Sequence, residues 1–438
     1  MSAEALTGAE SRIADAIAQH SHAPCVAIGI IRDGVLVRAS SPSTRFRIAS
    51  MTKSFVAASV LLLRDERRLS IDDEVGAAVP SFASSLPSGT TLRRLLTMTS
   101  GLATDDPWAD RLMGAPDSLV DEVLAGGVSL AVEPASQFEY SNLGYVILGR
   151  VVSVVAGLPL QEFVRQRLLT PLAMTSTGWD VPGDDVAWAR PHRAVDGEPV
   201  ADDPPVGDGS FAPLGGLWST VEELAKWVAM LSGDGAGPLS VVSRREMSTA
   251  AVALNAEWAD AGAYGMGLDV IEDPAAGTVV GHSGGVPGYG SHMRWQPGGA
   301  HGVIALANVT YAPMESLARL LLQHEVFVDE TLSGSDGPII GAAHRLVALL
   351  NNWSDVDAHE LFTSNVGLDD PFSRRAAAAL ALTTAHGVLD LVAMEPAHRM
   401  RAHVTLLGRT SGRLVRLSLN CAPPLPVRVQ QYRVEDWS

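Results

Sequence analysis

The apolar residues of this chain fall into helical spacing over much of its length, and one run does so without a break. In residues 54–63, Phe55, Val56, Ala58, Val60, Leu62 and Leu63 cannot be packed by strict alternation, and neither Gly nor Pro interrupts them. The stretch therefore predicts a buried helix. Ser50 falls in its first turn, where backbone N–H groups lack partners and serine is a favoured cap. Lys53 follows one turn later on the same face, because residues three apart are neighbours on a helix. Similar spacing predicts helices over 8–20, 91–98, 143–156, 160–169, 221–231 and 314–327. Asn142 is placed to cap the 143–156 helix, and Tyr140 stands in the loop before it.

Strand patterns sit at the two ends of this helical stretch. Residues 25–31 and 35–38 flank Asp33-Gly34 and predict a hairpin. Residues 264–271, 278–282, 290–295 and 302–309 are apolar segments separated by Pro/Gly turns, as antiparallel strands are. Residues 180–214 are rich in Pro, Gly and Asp and read as a meandering surface loop or small subdomain. The expected architecture is an α+β domain whose central antiparallel sheet joins both ends of the stretch, flanked by helices and accompanied by an all-helical part. A punctuation at residues 334–338 (Gly-Ser-Asp-Gly-Pro) separates domains 1–330 and 335–438. In the second, a helix near 341–351, an Ala-rich segment at 373–382 and strands over 389–394, 401–407, 414–419 and 427–434 predict a small α+β module, a curved antiparallel sheet with one or two helices.

Charge supports that division. The net charge is −17, yet residues 331–438 carry ten basic and ten acidic side chains, so the acidic excess lies wholly in the first domain. An acidic surface argues against nucleic-acid binding. The two cysteines, Cys25 and Cys421, match no metal or redox spacing and read as buried thiols. No metal or cofactor is implied: the 12 histidines include no His-x-x-x-His pair on a helix. The N-terminus has neither the basic start nor the apolar core of a signal peptide, and the apolar 143–160 stretch carries Arg150 mid-span. The expectation is a cytoplasmic protein without a membrane partner.

Composition also makes Lys53 informative. Of 32 basic side chains, only Lys53 and Lys226 are lysines. Arginine serves equally as a surface charge but cannot give up its proton, whereas a desolvated lysine can. A lysine one turn after a helix-start serine therefore reads as a proton acceptor for that hydroxyl. A capped helix that happens to carry a lysine is the competing reading, and the rest of the chain has to decide.

Two more segments share that setting. Tyr140-Ser141-Asn142 precedes a helix, and Gly281-His282-Ser283-Gly284-Gly285 follows a strand. With Ser50-Met51-Thr52-Lys53, the chain resembles the penicillin-recognising serine hydrolases: class C β-lactamases, DD-peptidases, β-lactamase-like esterases and D-aminopeptidases. Their pattern is Ser-x-x-Lys, Tyr-x-Asn, then Lys- or His-x-Gly, in this order. Residues 46–50 (Phe-Arg-Ile-Ala-Ser), 95–102 (Leu-Leu-Thr-Met-Thr-Ser-Gly-Leu) and 215–220 (Gly-Gly-Leu-Trp-Ser-Thr) also resemble that family's, over roughly residues 8–328. Met98 departs from the histidine often found in the second of these, a change expected to be structural.

The resemblance implies a β-lactamase-like fold and roles for these residues. Ser50 is the nucleophile, and either Lys53 or Tyr140 is its base. Tyr140 also gives the leaving group its proton. Asn142 holds Lys53 and a substrate amide, and the N–H groups of Ser50 and Gly285 form an oxyanion hole. Gly284 and Gly285 let substrate approach the strand closely. His282 replaces a permanently charged anchor for a substrate carboxylate with a ring largely neutral near pH 7. This weakens the case for a β-lactamase and favours the esterase and D-aminopeptidase branches. The resulting order is esterase slightly ahead of D-amino-acid amidase or peptidase, then acyltransferase, then β-lactamase or DD-peptidase. Trp218, Tyr289, His292 and Arg294 are candidates for the pocket wall. The rival from another class is a binding protein on the same fold. Residues 365–371 (Asn-Val-Gly-Leu-Asp-Asp-Pro) resemble the cystatin- or nuclear-transport-factor-like modules attached to some of these hydrolases. Such a module is expected to narrow the site's mouth or to join copies of the chain as a homo-oligomer.

Overall fold

A computed structural model describes residues 3–205, 207–255, 262–332, 338–398, 400–422 and 427–436. The punctuation expected at 334–338 lies outside them apart from Pro338. The chain forms two compact units: one of Met1–Ala5, Ser21–Glu272 and Thr278–Ala318, the other of Leu6–His20, Asp273–Gly277 and Arg319–Ser438.

The larger unit is built on an eight-stranded sheet. Its order is Val35–Ser40, Val26–Arg32, His301–Ala307, Tyr289–Trp295, Gly277–Val286, Asp269–Asp273, Ala263–Tyr264 and Val252–Ala253. Val26–Arg32 pairs antiparallel with His301–Ala307, from Val26 opposite Ala307 to Arg32 opposite His301, so the sheet does join both ends of this unit. The hairpin turn has Asp33 at φ 49° and Gly34 at φ 72°, the left-handed pair that a two-residue turn of this kind requires. Residues 264–271, expected as one strand, break around Gly267 (φ 75°). A Cβ there would stand 2.9 Å from both Lys53 O and Ala57 Cβ, so only glycine lets the chain turn against that helix.

The helix Thr52–Asp65 is buried on every side from Thr52 to Leu63, which marks a core helix rather than an amphipathic one. Phe55 stacks on Trp227 with ring centroids 3.9 Å apart, and Asn142–Ala156 packs alongside. The cap of Asn142–Ala156 is Ser141, whose hydroxyl accepts the Gly144 N–H at 3.2 Å. Asn142, expected as the cap, is instead the first helical residue, and its side chain turns inward. Residues 180–214 hold a hairpin, His192–Val195 with Glu198–Ala201, closed by Asp196 (φ 52°) and Gly197 (φ 81°). It repeats the Asp-Gly chemistry of the first hairpin.

In the smaller unit Leu389–His398, Arg401–Gly408, Leu414–Cys421 and Val429–Asp436 form an antiparallel sheet in that order. Among the described residues after 337, four helices accompany it, Pro338–Asn351, Asp355–Leu361, Ser364–Asp369 and Phe372–His386, where one or two had been expected. Leu346, Ala343, Val404, Leu406 and Leu417 form its core. The whole is an α+β fold with a small C-terminal sheet domain, as expected. Among the described residues no single helix is long and apolar enough to cross a membrane. Asn142–Ala156 and Leu160–Leu169 reach that length only as a pair bent by 76°, and Val146, Ile147, Val151 and Phe163 lie in the core.

Candidate active site

Ser50 is delivered by a short 3-10 turn, Ala49–Met51, that runs into Thr52–Asp65. Ala49 has φ 48°, a left-handed conformation costly for a residue with a Cβ, and it is fully buried. The surrounding packing therefore holds the residue before Ser50 in a strained state. The Ser50 hydroxyl caps neither the turn nor the helix. Its partner is Lys53, whose Nζ lies 2.9 Å from Ser50 Oγ.

Lys53 is fully buried. Its Nζ also donates to Asn142 Oδ1 at 2.6 Å and to the carbonyl of Leu214 at 2.7 Å. Thr52 Oγ1 accepts the Leu217 N–H at 3.2 Å, which ties the segment carrying Leu214 to the same helix. These acceptors suit the hydrogens of an ammonium. Two of them, Asn142 and Leu214, can only accept in this orientation and would hold the two hydrogens of a neutral amine as well. Its lone pair would then face Ser50. The arrangement suits both protonation states.

Asn142 is fixed from its backbone. Asp105 accepts the Asn142 N–H at 2.7 Å and the Leu143 N–H at 2.9 Å, a carboxylate on the exposed donors at a helix's positive end. Tyr140, two residues earlier, is 5% exposed, and its ring centroid lies 4.9 Å from Lys53 Nζ. Met98 is buried with φ 56°, and its sulfur accepts the Ser141 N–H at 3.4 Å, so it supports the turn that carries Tyr140 and Asn142.

The strand Gly277–Val286 brings the third segment. Gly284 lies against the turn before Ser50: a Cβ there would meet Ile48 O at 2.6 Å. The Ser283 N–H faces the Asp269 carboxylate, favouring its charged form, on the side away from the Tyr289–Trp295 strand. Backbone direction alternates along a strand, so Gly285, two residues on, presents its N–H to the same side. The neighbouring strand begins at Asp269, which leaves that edge open beside Ser50.

His282 uses both ring nitrogens within the protein. Nδ1 bonds the Ser283 carbonyl, which only accepts, so Nδ1 carries the hydrogen. Nε2 then accepts from Tyr264 Oη at 3.1 Å. Burial, followed by the charge of Lys53, pushes the His282 pKa down to about 3. Burial, then Arg294 and His282, holds His292 well below the ordinary histidine value. Burial and then Glu315 push Asp269 up to about 7, against Arg294 and the Ser283 N–H.

A cavity of about 260 Å³ collects Ser50, Tyr140, His282, Gly284 and Gly285 along one lining. Of the wall candidates, His292 and Arg294 line it, while Trp218 and Tyr289 sit in the core with rings 5.4 Å apart. Asp105, the Leu214 carbonyl, Tyr264, Asp269 and Tyr311 were not anticipated. Among the described residues no cluster of three or more His, Cys, Asp or Glu is placed to hold a metal ion. Cys25 is half-buried and Cys421 buried, both as free thiols.

Residues 11–326 match the model of the beta-lactamase family, and the chain belongs to it. Protein flp of Staphylococcus aureus (strain N315) is 27% identical over 335 residues, covering 70% of this chain. The match takes in 65% of that protein, so the chain spans less than two thirds of the length of this relative. Among solved structures, the octameric penicillin-binding protein homologue from Pyrococcus abyssi aligns with TM-score 0.63 and 22% identity. It covers 97% of this chain and 98% of its own. A D-stereospecific amidohydrolase from Streptomyces sp. aligns with TM-score 0.59 and 22% identity, over 72% of this chain and 98% of its own. At such identities these likenesses concern the fold, which is β-lactamase-like.

Proposed function

We propose that the protein is a serine hydrolase that forms an acyl-enzyme on Ser50 from a small ester or amide. The observation that carries this reading is the Lys53 amine, fully buried, held by Asn142 and Leu214 and turned toward Ser50 Oγ at 2.9 Å. A structural lysine has no need of a serine hydroxyl that caps nothing. Lys53, the group in contact with Oγ, is the base we assign. It takes the hydroxyl proton as Oγ attacks the carbonyl carbon. The N–H groups of Ser50 and Gly285 receive the oxyanion. The C–O or C–N bond to the leaving group then breaks, and Tyr140 Oη supplies its proton. Water repeats the sequence in reverse to release the acid and free Ser50.

The neutral, internally bonded His282 offers no positive charge to a substrate carboxylate. This supports esterase or D-amino-acid amidase chemistry over β-lactamase or DD-peptidase chemistry; acyl transfer to an acceptor other than water is the alternative on the same acyl-enzyme. The amidohydrolase from Streptomyces sp., so described, shares the fold and agrees with that branch. The octameric homologue spans nearly the whole chain, and we extend its assembly to this protein as a homo-oligomer, to be checked by light scattering. Turnover of a p-nitrophenyl ester and a D-alanine p-nitroanilide, compared in wild type, Ser50→Ala and Lys53→Arg, tests the assignment. Hydrolysis that survives in Ser50→Ala would remove it.

A further inference from the structure

Tyr311 follows the last strand of the sheet, His301–Ala307, and has φ 52°. An aromatic residue rarely adopts this left-handed conformation, so its surroundings must hold it. Its N–H donates to Tyr289 O at 3.2 Å, and its Oη donates to Asp110 Oδ2 at 2.6 Å. Asp110 is buried just after the short helix Asp106–Ala109. The ring itself lies on Gly285, where a Cβ would meet Tyr311 Cδ1 at 2.5 Å. The side chain thus reaches from the end of the sheet to the helical part across one end of the cavity that holds Ser50, and it stays 53% exposed.

We propose that Tyr311 is a specificity-determining residue, a fixed aromatic wall that limits the bulk of the acyl group. The inference rests on the acyl-enzyme reading above. A carbonyl that turns its oxygen to the Gly285 N–H comes under this ring. The leaving group points to Tyr140, so the acyl substituent on that same carbonyl carbon must pass Tyr311. The acyl class that fits is short and carries at most one branch at the carbon next to the carbonyl, which admits a D-alanyl group and refuses a quaternary carbon. The Asp110 bond keeps the ring from swinging aside for the bulkier one.

The test is the ratio of kcat/KM for p-nitrophenyl pivalate to that for p-nitrophenyl acetate, with nitrophenol release read in parallel from Ser50→Ala. Tyr311→Ala is expected to raise the ratio about tenfold, the scale at which a pocket discriminates by a methyl or two. Tyr311→Phe keeps the ring but loses the Asp110 bond, and a smaller rise is expected. Tyr311→Leu stands in if the alanine variant does not fold. A merely structural role would lower both esters together, and a ratio within twofold of wild type in Tyr311→Ala or Tyr311→Leu overturns the inference. Absence of Ser50-dependent release from either ester in wild type is a different result, which removes the acyl-enzyme reading and this inference with it.

Discussion

Lys53 Nζ and the Leu214 carbonyl oxygen stand 2.7 Å apart, and this bond, with that to Asn142, turns the amine toward Ser50. The lysine is therefore aimed rather than merely buried. Lys53→Arg keeps the charge but cannot give up a proton or fit the same three acceptors. We expect kcat to fall by about 10²–10⁴-fold, the range over which a positioned general base acts. A variant within threefold of wild type would shift the proton-accepting role to Tyr140.

Asp105 positions Asn142 without touching Ser50. Asp105→Ala leaves the Asn142 and Leu143 N–H groups without their acceptor. Loss of such a helix-end acceptor costs about 1–2 kcal/mol, and kcat should fall because Asn142 loses its anchor. Chemical denaturation beside initial rates checks both. A stability loss with unchanged kcat would mean that Asn142 holds its place without Asp105.

The buried histidines make the fold sensitive to acid. His282 titrates near 3 in the fold against 6.5 in the unfolded chain. His292 is shifted in the same direction. Between these values the unfolded chain binds more protons at these positions, so the histidines' contribution to stability is full above about pH 6.5 and is lost as pH falls. Asp269 acts oppositely. Its carboxyl, held near 7 against an ordinary 3.8, keeps a proton in the fold that the unfolded chain has released, so its contribution declines as pH rises from 3.8 to 7. His282→Gln, which can make the same two bonds, should flatten the acid side of the urea-midpoint profile and leave the pH dependence of kcat/KM unchanged. Equal acid slopes in both proteins would show that His282 titrates normally.

Gly284 should not tolerate a methyl group. A Cβ there would stand 2.4 Å from Ser291 Oγ and 2.6 Å from Ile48 O. Overpacking of this kind costs about 1–3 kcal/mol, and here the backbone that must yield leads straight into Ala49 and Ser50. Gly284→Ala should lower both the melting temperature and kcat. A variant with wild-type melting and rate would show that the strand and the serine turn can part freely.

Much of this site was legible in the sequence because its chemistry is written in side chains at fixed spacings. Ser50 and Lys53 share a helix face through the i, i+3 rule, and Tyr140 and Asn142 sit at the next helix's start. The Leu214 carbonyl was not legible, because every residue carries one and only the fold decides which is used. Asp105 was hidden because it caps a helix that begins 37 residues later. The break at Gly267 went unread since a glycine within an apolar run does not say what approaches it. The hairpin at Asp196-Gly197 was legible in the same terms as that at Asp33-Gly34, but its strands are exposed and lack the apolar alternation that marked the first.

The central claim is that Ser50 carries the acyl group. Intact mass spectrometry after brief exposure to p-nitrophenyl acetate, with Ser50→Ala beside wild type, tests it most directly. One acetyl increment on wild type alone, or rapid nitrophenol release that requires Ser50, is the predicted result. The same adduct and release in both proteins, or neither in wild type, would contradict it.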